Sequence, residues 1–121
     1  MKRTALALAL ALAACGGATP TSSSPSSVAP TAKKIDGPTA HGLVASGARL
    51  VDVRSKDEYQ AGHIDGAINV PVDDVAEHDF GAKDKTLIVY CGSGARSARA
   101  AQKLVEHGYT DVNDLGAMSN W

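Results

Sequence analysis

Apolar residues along this chain fall into short blocks separated by polar and glycine-rich breaks, and the spacing inside each block predicts an element. Leu50-Val51-Asp52-Val53, Ala67-Ile68-Asn69-Val70, Thr86 to Tyr90 and Val112 to Leu115 are short and rich in β-branched residues, and they read as strands. Leu87-Ile88-Val89-Tyr90 is apolar at consecutive positions, which suits a strand buried on both faces. Helical spacing occurs between these blocks. Ala98, Ala101, Leu104 and Val105 predict a helix over 97–107, stopped by Gly108. Pro38 and Gly47 bracket a helix from Pro38 through Ser46, with Leu43 and Val44 facing the core. Ser55-Lys56-Asp57-Glu58 fits a capping box that opens a short helix to about Ala61. Residues 72–77 read as another short helix, with Asp73-Asp74 at its start, Phe80 to Lys85 as a loop, and Gly116 as the beginning of a turn. Strands alternating with helices predict an α/β domain of three layers, a parallel sheet with helices on both faces. The chain has no internal repeats.

Before residue 35 the pattern changes. Met1-Lys2-Arg3 is a short basic start, and Thr4 to Ala14 is an alternating Ala/Leu run with the length of a signal-peptide apolar region, too short for a stable span. It ends in Leu12-Ala13-Ala14-Cys15, which resembles the bacterial lipobox. That resemblance implies cleavage before Cys15 and acylation of its sulfur and its amine. Each buried CH2 of such chains contributes roughly 0.8 kcal/mol to anchoring. Gly16 to Lys34 is a Gly/Ala/Thr/Ser/Pro tether with almost nothing to bury, and it is expected to be disordered. The expected organisation is therefore a signal at 1–14, a lipidated tether at 15–34 and a domain at 35–121. The place implied is the bacterial cell envelope, outside the cytoplasm. Gly16 lacks the aspartate that resembles an inner-membrane retention signal, which favours the outer membrane of a cell that has one.

Composition narrows the chemistry. A net charge of -1 gives no electrostatic footprint for nucleic acid. One small domain is all that residues 35–121 can support, and it is expected to be a monomer. Of the two cysteines, Cys15 is taken by the lipobox, so Cys91 is left unpaired as a reactive thiol in an exported protein.

Cys91 stands where an apolar strand hands over to a helix, inside Cys91-Gly92-Ser93-Gly94-Ala95-Arg96-Ser97. The thiolate is the nucleophilic form of cysteine. Unpaired backbone N–H groups at a helix start favour negative charge, and glycines such as Gly92 and Gly94 let successive N–H groups curl around one point. Arg96 and Arg99 share a helical face and add positive charge. These features together assign Cys91 as nucleophile and the stretch from Gly92 to Ser97, Ser93 and Ala95 included, as an anion cradle in which backbone matters more than side chain.

That loop resembles the active-site loop of the rhodanese sulfurtransferases. So do Val51-Asp52-Val53-Arg54, Glu58-Tyr59, and Gly62-His63-Ile64-Asp65-Gly66-Ala67-Ile68-Asn69-Val70-Pro71, in the same order and spacing, over about Ile35 to Trp121. The resemblance implies sulfur transfer from thiosulfate or a related persulfide donor to a thiol or cyanide, through a persulfide on Cys91, with no metal and no organic cofactor. Arg96 would brace the loop and offset the anion. Asp52, Arg54, Glu58 and His63 are family marks with structural roles: Arg54 pairing with a carboxylate such as Glu58, His63 hydrogen-bonding within its turn, and Asp52 ending a strand on the site's side. Gly92 stands where many thiosulfate-using members carry a basic residue. Relatives also show Gly-Gly where this chain has Gly116-Ala117, and they continue past the matching Trp121, so a frayed final helix is expected.

Two other readings use the same loop. A phosphatase or arsenate reductase needs five residues between Cys and Arg to admit a tetrahedral oxyanion. This chain has four, Gly92 to Ala95, and Tyr90 stands where those enzymes carry a histidine. A lipid-anchored binding or redox-sensing module would keep the thiol and turn nothing over. His41, His78 and His107 have no ligand spacing and are expected at the surface.

Overall fold

The computed structural model describes residues 31–121. The expected signal peptide at 1–14, the lipidation site Cys15 and the tether up to residue 30 lie outside the described residues. Five strands form one parallel sheet: β1 (Lys33–Lys34), β2 (Arg49–Asp52), β3 (Ile68–Asn69), β4 (Leu87–Cys91) and β5 (Val112–Ala117), in the spatial order β1-β5-β4-β2-β3. Three helices accompany them: α1 (Gly37–Ala45), α2 (Lys56–Ala61) and α3 (Ala95–Glu106). A single 3-10 turn, Met118–Asn120, follows β5.

The central strand β4 is buried at every position, as its unbroken apolar run predicts. The two-residue period of a strand sorts its side chains. Leu87, Val89 and Cys91 pack with Ala100, Ala101 and Leu104 of α3, together with Val72, Val75 and Phe80. Ile88 and Tyr90 pack on the other face with Ala40, Leu43 and Val44 of α1 and Tyr59 of α2. Helices therefore cover both faces, and the last strand residue, Cys91, lies on the α3 side.

Several boundaries differ from the pattern reading. The sheet begins at Lys33–Lys34, two residues inside the expected tether. This edge strand pairs through its backbone, and the exposed Lys34 side chain adds an ion pair to Asp114 at 3.6 Å. α1 starts one residue early because Asp36 caps it, its side chain accepting from Thr39 N at 2.9 Å. Residues 72–77 form hydrogen-bonded turns instead of a helix. Buried Val72 and Val75 pin this short segment to the core, and β-branched residues at both apolar positions favour helix weakly. β5 runs two residues past Leu115. Val89 pairs with Asp114 but Tyr90 pairs with Gly116, so Leu115 is the extra residue of a bulge. Asp114 Oδ1 accepts Gly116 N at 2.8 Å and holds that bulge, and Gly116 takes φ +82. The end of the chain is docked, not frayed. Trp121 stacks with its ring centroid 3.7 Å from that of His41, and Asn120 Nδ2 donates to Leu115 O at 2.9 Å.

One polar cluster is buried inside this frame. Asp52, fully buried at the end of β2, takes Arg54 Nη2 at 2.7 Å and Nε at 3.0 Å, and the Tyr90 hydroxyl at 3.0 Å. The Tyr90 oxygen accepts Ile64 N at 3.1 Å, and Arg54 also donates to Gly62 O at 2.6 Å. Every member is satisfied, which is the condition under which a buried ionic network is tolerated. Asp52→Asn leaves the Arg54 charge buried without its partner. It is expected to cost roughly 3–5 kcal/mol of unfolding free energy, read as a lower urea midpoint at unchanged slope.

Candidate active site

β4 ends on Cys91, and α3 begins only four residues later at Ala95. That is two residues before the expected start at Ser97. The tight handover depends on Gly94, which caps α3 in the left-handed region at φ +102 with no side-chain cap. The N–H groups of the loop and of the first helical turn thus converge on the sulfur. Gly94 N donates to Cys91 Sγ at 2.9 Å, and the Ser97 hydroxyl donates to Gly94 O at 2.9 Å, which ties the loop to the helix. Burial pushes the Cys91 thiol up. The opposing pull of the Ser97, Gly94 and Ser93 N–H groups and the Ser97 hydroxyl outweighs it, so the pKa lies below the ordinary thiol value.

Gly92 acts differently from the sequence reading. Its backbone is not left-handed, unlike that of Gly94. A Cβ there would sit 3.4 Å from Arg96 Nη2 and 3.9 Å from Glu58 Oε2, ordinary contact distances, so neither backbone nor space demands a glycine at this position. Behind the loop, Gly116 and Ala117 of the bulged strand come within 3.8 Å of where a Gly94 Cβ would be.

Of the predicted site residues, Gly92, Ser93, Gly94, Ala95, Arg96 and Ser97 surround Cys91 as one loop and helix start. Arg96 braces that loop against α2, forking onto Glu58 at 2.7 and 2.9 Å. Arg54 does pair with a carboxylate, as expected, but the carboxylate is Asp52 and not Glu58. Arg54 is taken by Asp52, and Glu58 is taken by Arg96 and by the capping hydroxyl of Ser55 at 3.1 Å. The Arg96 guanidinium holds the Glu58 carboxyl down at about 2. Asp52 ends its strand on the site's side but serves the buried network. His63 stays in its turn, with Nδ1 3.0 Å from Tyr59 O and its ring stacked on Tyr59. Arg99 makes an exposed pair with Asp73 at 3.1 Å and does not approach the cradle through that contact. His41, His78 and His107 are exposed.

Tyr90 is the residue that pattern reading missed. Read as one more apolar strand position, it instead uses its hydroxyl to join β4 to Asp52, one residue before Cys91. Burial pushes its phenol up to about 12, so it stays a donor across the working range. A signal was present, since a tyrosine inside a fully buried strand needs a partner for its hydroxyl.

The rhodanese-like domain family matches residues 31–121. The chain belongs to that family. Thiosulfate sulfurtransferase 16, a chloroplastic protein of Arabidopsis thaliana, is 39% identical over 98 residues, covering 68% of this chain and 80% of that protein. Thiosulfate sulfurtransferase PspE of Escherichia coli is 40% identical over 73 residues, covering 58% of this chain and 70% of that one. Protein HIGH ARSENIC CONTENT 1, a mitochondrial protein of Arabidopsis thaliana, is 35% identical over 95 residues, covering 68% of this chain and 56% of that one. Among solved structures, human single-domain sulfurtransferase TSTD1 superposes with a TM-score of 0.63 at 33% identity, covering 77% of this chain and 95% of its own. The fold is thus rhodanese-like, and the chain is a rhodanese-type enzyme.

The lowered thiol pKa sets a sign. Thiolate forms at lower pH than for a free cysteine, whose pKa is about 8.5. Thiolate absorbance in the ultraviolet, corrected with Cys91→Ser, should therefore titrate at lower pH in the folded protein than an unperturbed thiol does. Ser97→Ala removes a hydroxyl that favours the anion, and it should move the midpoint upward.

Proposed function

We propose that this rhodanese is a sulfurtransferase carrying sulfane sulfur on Cys91. The observation that supports it most is the donation of Gly94 N to Cys91 Sγ, at the convergence of N–H groups where a sulfur anion forms and persists. The thiolate attacks the outer sulfur of a donor. With thiosulfate, the S–S bond of the donor breaks, its electron pair leaves with sulfite, and Cys91 becomes a persulfide anion. An acceptor thiolate, or cyanide in assay, then attacks the outer sulfur, and the Cys91 thiolate leaves. The two half-reactions are covalent catalysis with ping-pong kinetics.

The cradle's dimensions support a terminal sulfur over a tetrahedral oxyanion. Four residues separate Cys91 from Arg96, and Arg96 is turned outward onto Glu58. The relative with arsenic in its name places arsenate in the same assay series.

We further propose that the enzyme works outside the cytoplasm on a lipid anchor at Cys15. Support comes from the Leu12-Ala13-Ala14-Cys15 sequence directly after an Ala/Leu run. Small sulfur donors and thiol acceptors would then meet it at the envelope.

Two measurements check these readings. The purified protein should transfer sulfur from thiosulfate or a persulfide to cyanide, and the donor alone should add the mass of one sulfur atom to Cys91. Cys91→Ser should abolish both. A folded protein with a free thiol that transfers nothing points to the binding-module reading, and arsenate turnover without sulfur transfer points to the reductase. Separately, fatty-acid label should enter the wild type in a bacterial host, and Cys15→Ser should lose both the label and the membrane fraction. Retention of both by Cys15→Ser would overturn the anchor.

A further inference from the structure

The cations around the active loop are all occupied. Arg54 is committed to buried Asp52 and to Gly62 O. Arg99 pairs with Asp73 at 3.1 Å. Arg96, the nearest of the three in sequence to Cys91, gives Nη1 and Nη2 to the two oxygens of Glu58. This last pair lies beside the loop, since Arg96 Nη2 and Glu58 Oε2 fall 3.4 and 3.9 Å from where a Gly92 Cβ would be. The mouth of the cradle therefore holds a neutralised guanidinium with a carboxylate beside it. Positive potential at the sulfur comes mainly from backbone N–H groups, with the Ser97 hydroxyl beside them and an Arg96 charge offset by Glu58.

Donors differ in the charge they bring to this mouth. Thiosulfate is a dianion whose sulfonate group stays charged as the S–S bond breaks. An organic thiosulfonate brings one charge, and a hydropersulfide of a neutral thiol brings one or none. A nest of N–H dipoles can hold one terminal sulfur, but it offers little to a second, remote charge. A free arginine would serve that charge, and here the arginine is engaged.

We infer that Glu58 sets the donor class of this enzyme, turning the cradle against dianionic donors and toward singly charged or neutral sulfane donors, the thiosulfonates and hydropersulfides. The inference rests on the sulfurtransferase reading. The chemistry is the same for each donor: the Cys91–sulfur bond forms, the donor's S–S or S–SO2 bond breaks, and its electron pair leaves on sulfite, sulfinate or thiolate. Only the charge accompanying the leaving group changes. Glu58 acts through Arg96 and is a positioning residue. The pair is also separable from the fold, since Arg96 and Glu58 side chains are 36% and 40% exposed and such pairs contribute little to stability.

The test compares thiosulfate with benzenethiosulfonate, using cyanide as acceptor, in wild type and Glu58→Gln. Glutamine retains the acceptor for the Ser55 hydroxyl and removes the charge. The ratio of kcat/KM values is the readout, because freeing Arg96 also favours the Cys91 thiolate, which helps both donors alike. The wild type should prefer benzenethiosulfonate. Glu58→Gln should raise the thiosulfate-to-benzenethiosulfonate ratio about five- to tenfold, mainly through KM, and added salt should erase the gain. Glu58→Asp, which keeps the charge, should restore the wild-type ratio. Asp73→Asn, which frees the more distant Arg99, should leave the ratio unchanged. Equal effects on the two donors, or loss of both in a Glu58→Gln protein that melts normally, would overturn this inference and leave sulfur transfer standing. If Glu58→Gln melts early, the wild-type preference and its salt dependence decide: a preference for thiosulfate overturns the inference. No sulfur transfer from either donor in wild type would bring down the underlying reading and this one with it.

Discussion

A sulfur anion sealed away from water must be stabilised by the groups that seal it, and most of this structure serves that requirement. Cys91 is fully buried, and burial by itself favours the neutral thiol. The N–H groups of Ser93, Gly94 and Ser97 reverse that preference, and they can do so only because the chain passes from strand to helix within four residues. The turn needs the left-handed Gly94. It also needs a strand end that does not move, which Tyr90 supplies by tying β4 to Asp52 and to the Ile64 amide. Behind the loop, the bulge in β5 sets Gly116 and Ala117 against it.

Two arginine–carboxylate pairs lie near the site and do opposite work. Arg54 and Asp52 are buried, share their network with Tyr90, and hold the ends of the central strands. Such a pair is costly to break from one side, which suits a fixed part. Arg96 and Glu58 are over a third exposed and join the loop's helix to α2. That pair is cheap to alter and sits where reactants arrive. Structural and selective roles are thus divided by depth.

Much of this was legible in the sequence. The strand–cysteine–glycine loop–helix order placed Cys91 at the end of a buried strand and before a helix, because burial of β4 and the approach to the helix are written in local residue types. What escaped was the pairing of charges between elements. Ser55 and Glu58 stand in their elements as expected, yet the sequence offered Glu58 as a partner for Arg54, four residues away, and not for Arg96 across the domain. The strand edges escaped too. Lys33–Lys34 joins the sheet through backbone groups and a Lys34–Asp114 ion pair, and two exposed lysines carry no apolar strand pattern. The extension of β5 past Leu115 depends on a bulge, which a simple alternating pattern does not reveal. Gly92 was marked for a freed backbone, yet its backbone is not left-handed and a Cβ there would meet only ordinary contacts.

The bulge at Leu115 also limits how this domain can vary in length. On its N-terminal side, β5 is in register with β4 through Asp114. On the other side it is displaced by one residue, and in that displaced frame Gly116 and Ala117 lie opposite Tyr90 and Cys91. Removing Leu115 would restore a regular ladder with Gly116 and Ala117 still opposite Tyr90 and Cys91, and would lose the local bend of the bulge behind the loop. Adding a residue would reverse the inward and outward faces of the strand's end. A residue inserted after Asp114 would thus disturb the strand's end more than a substitution along it.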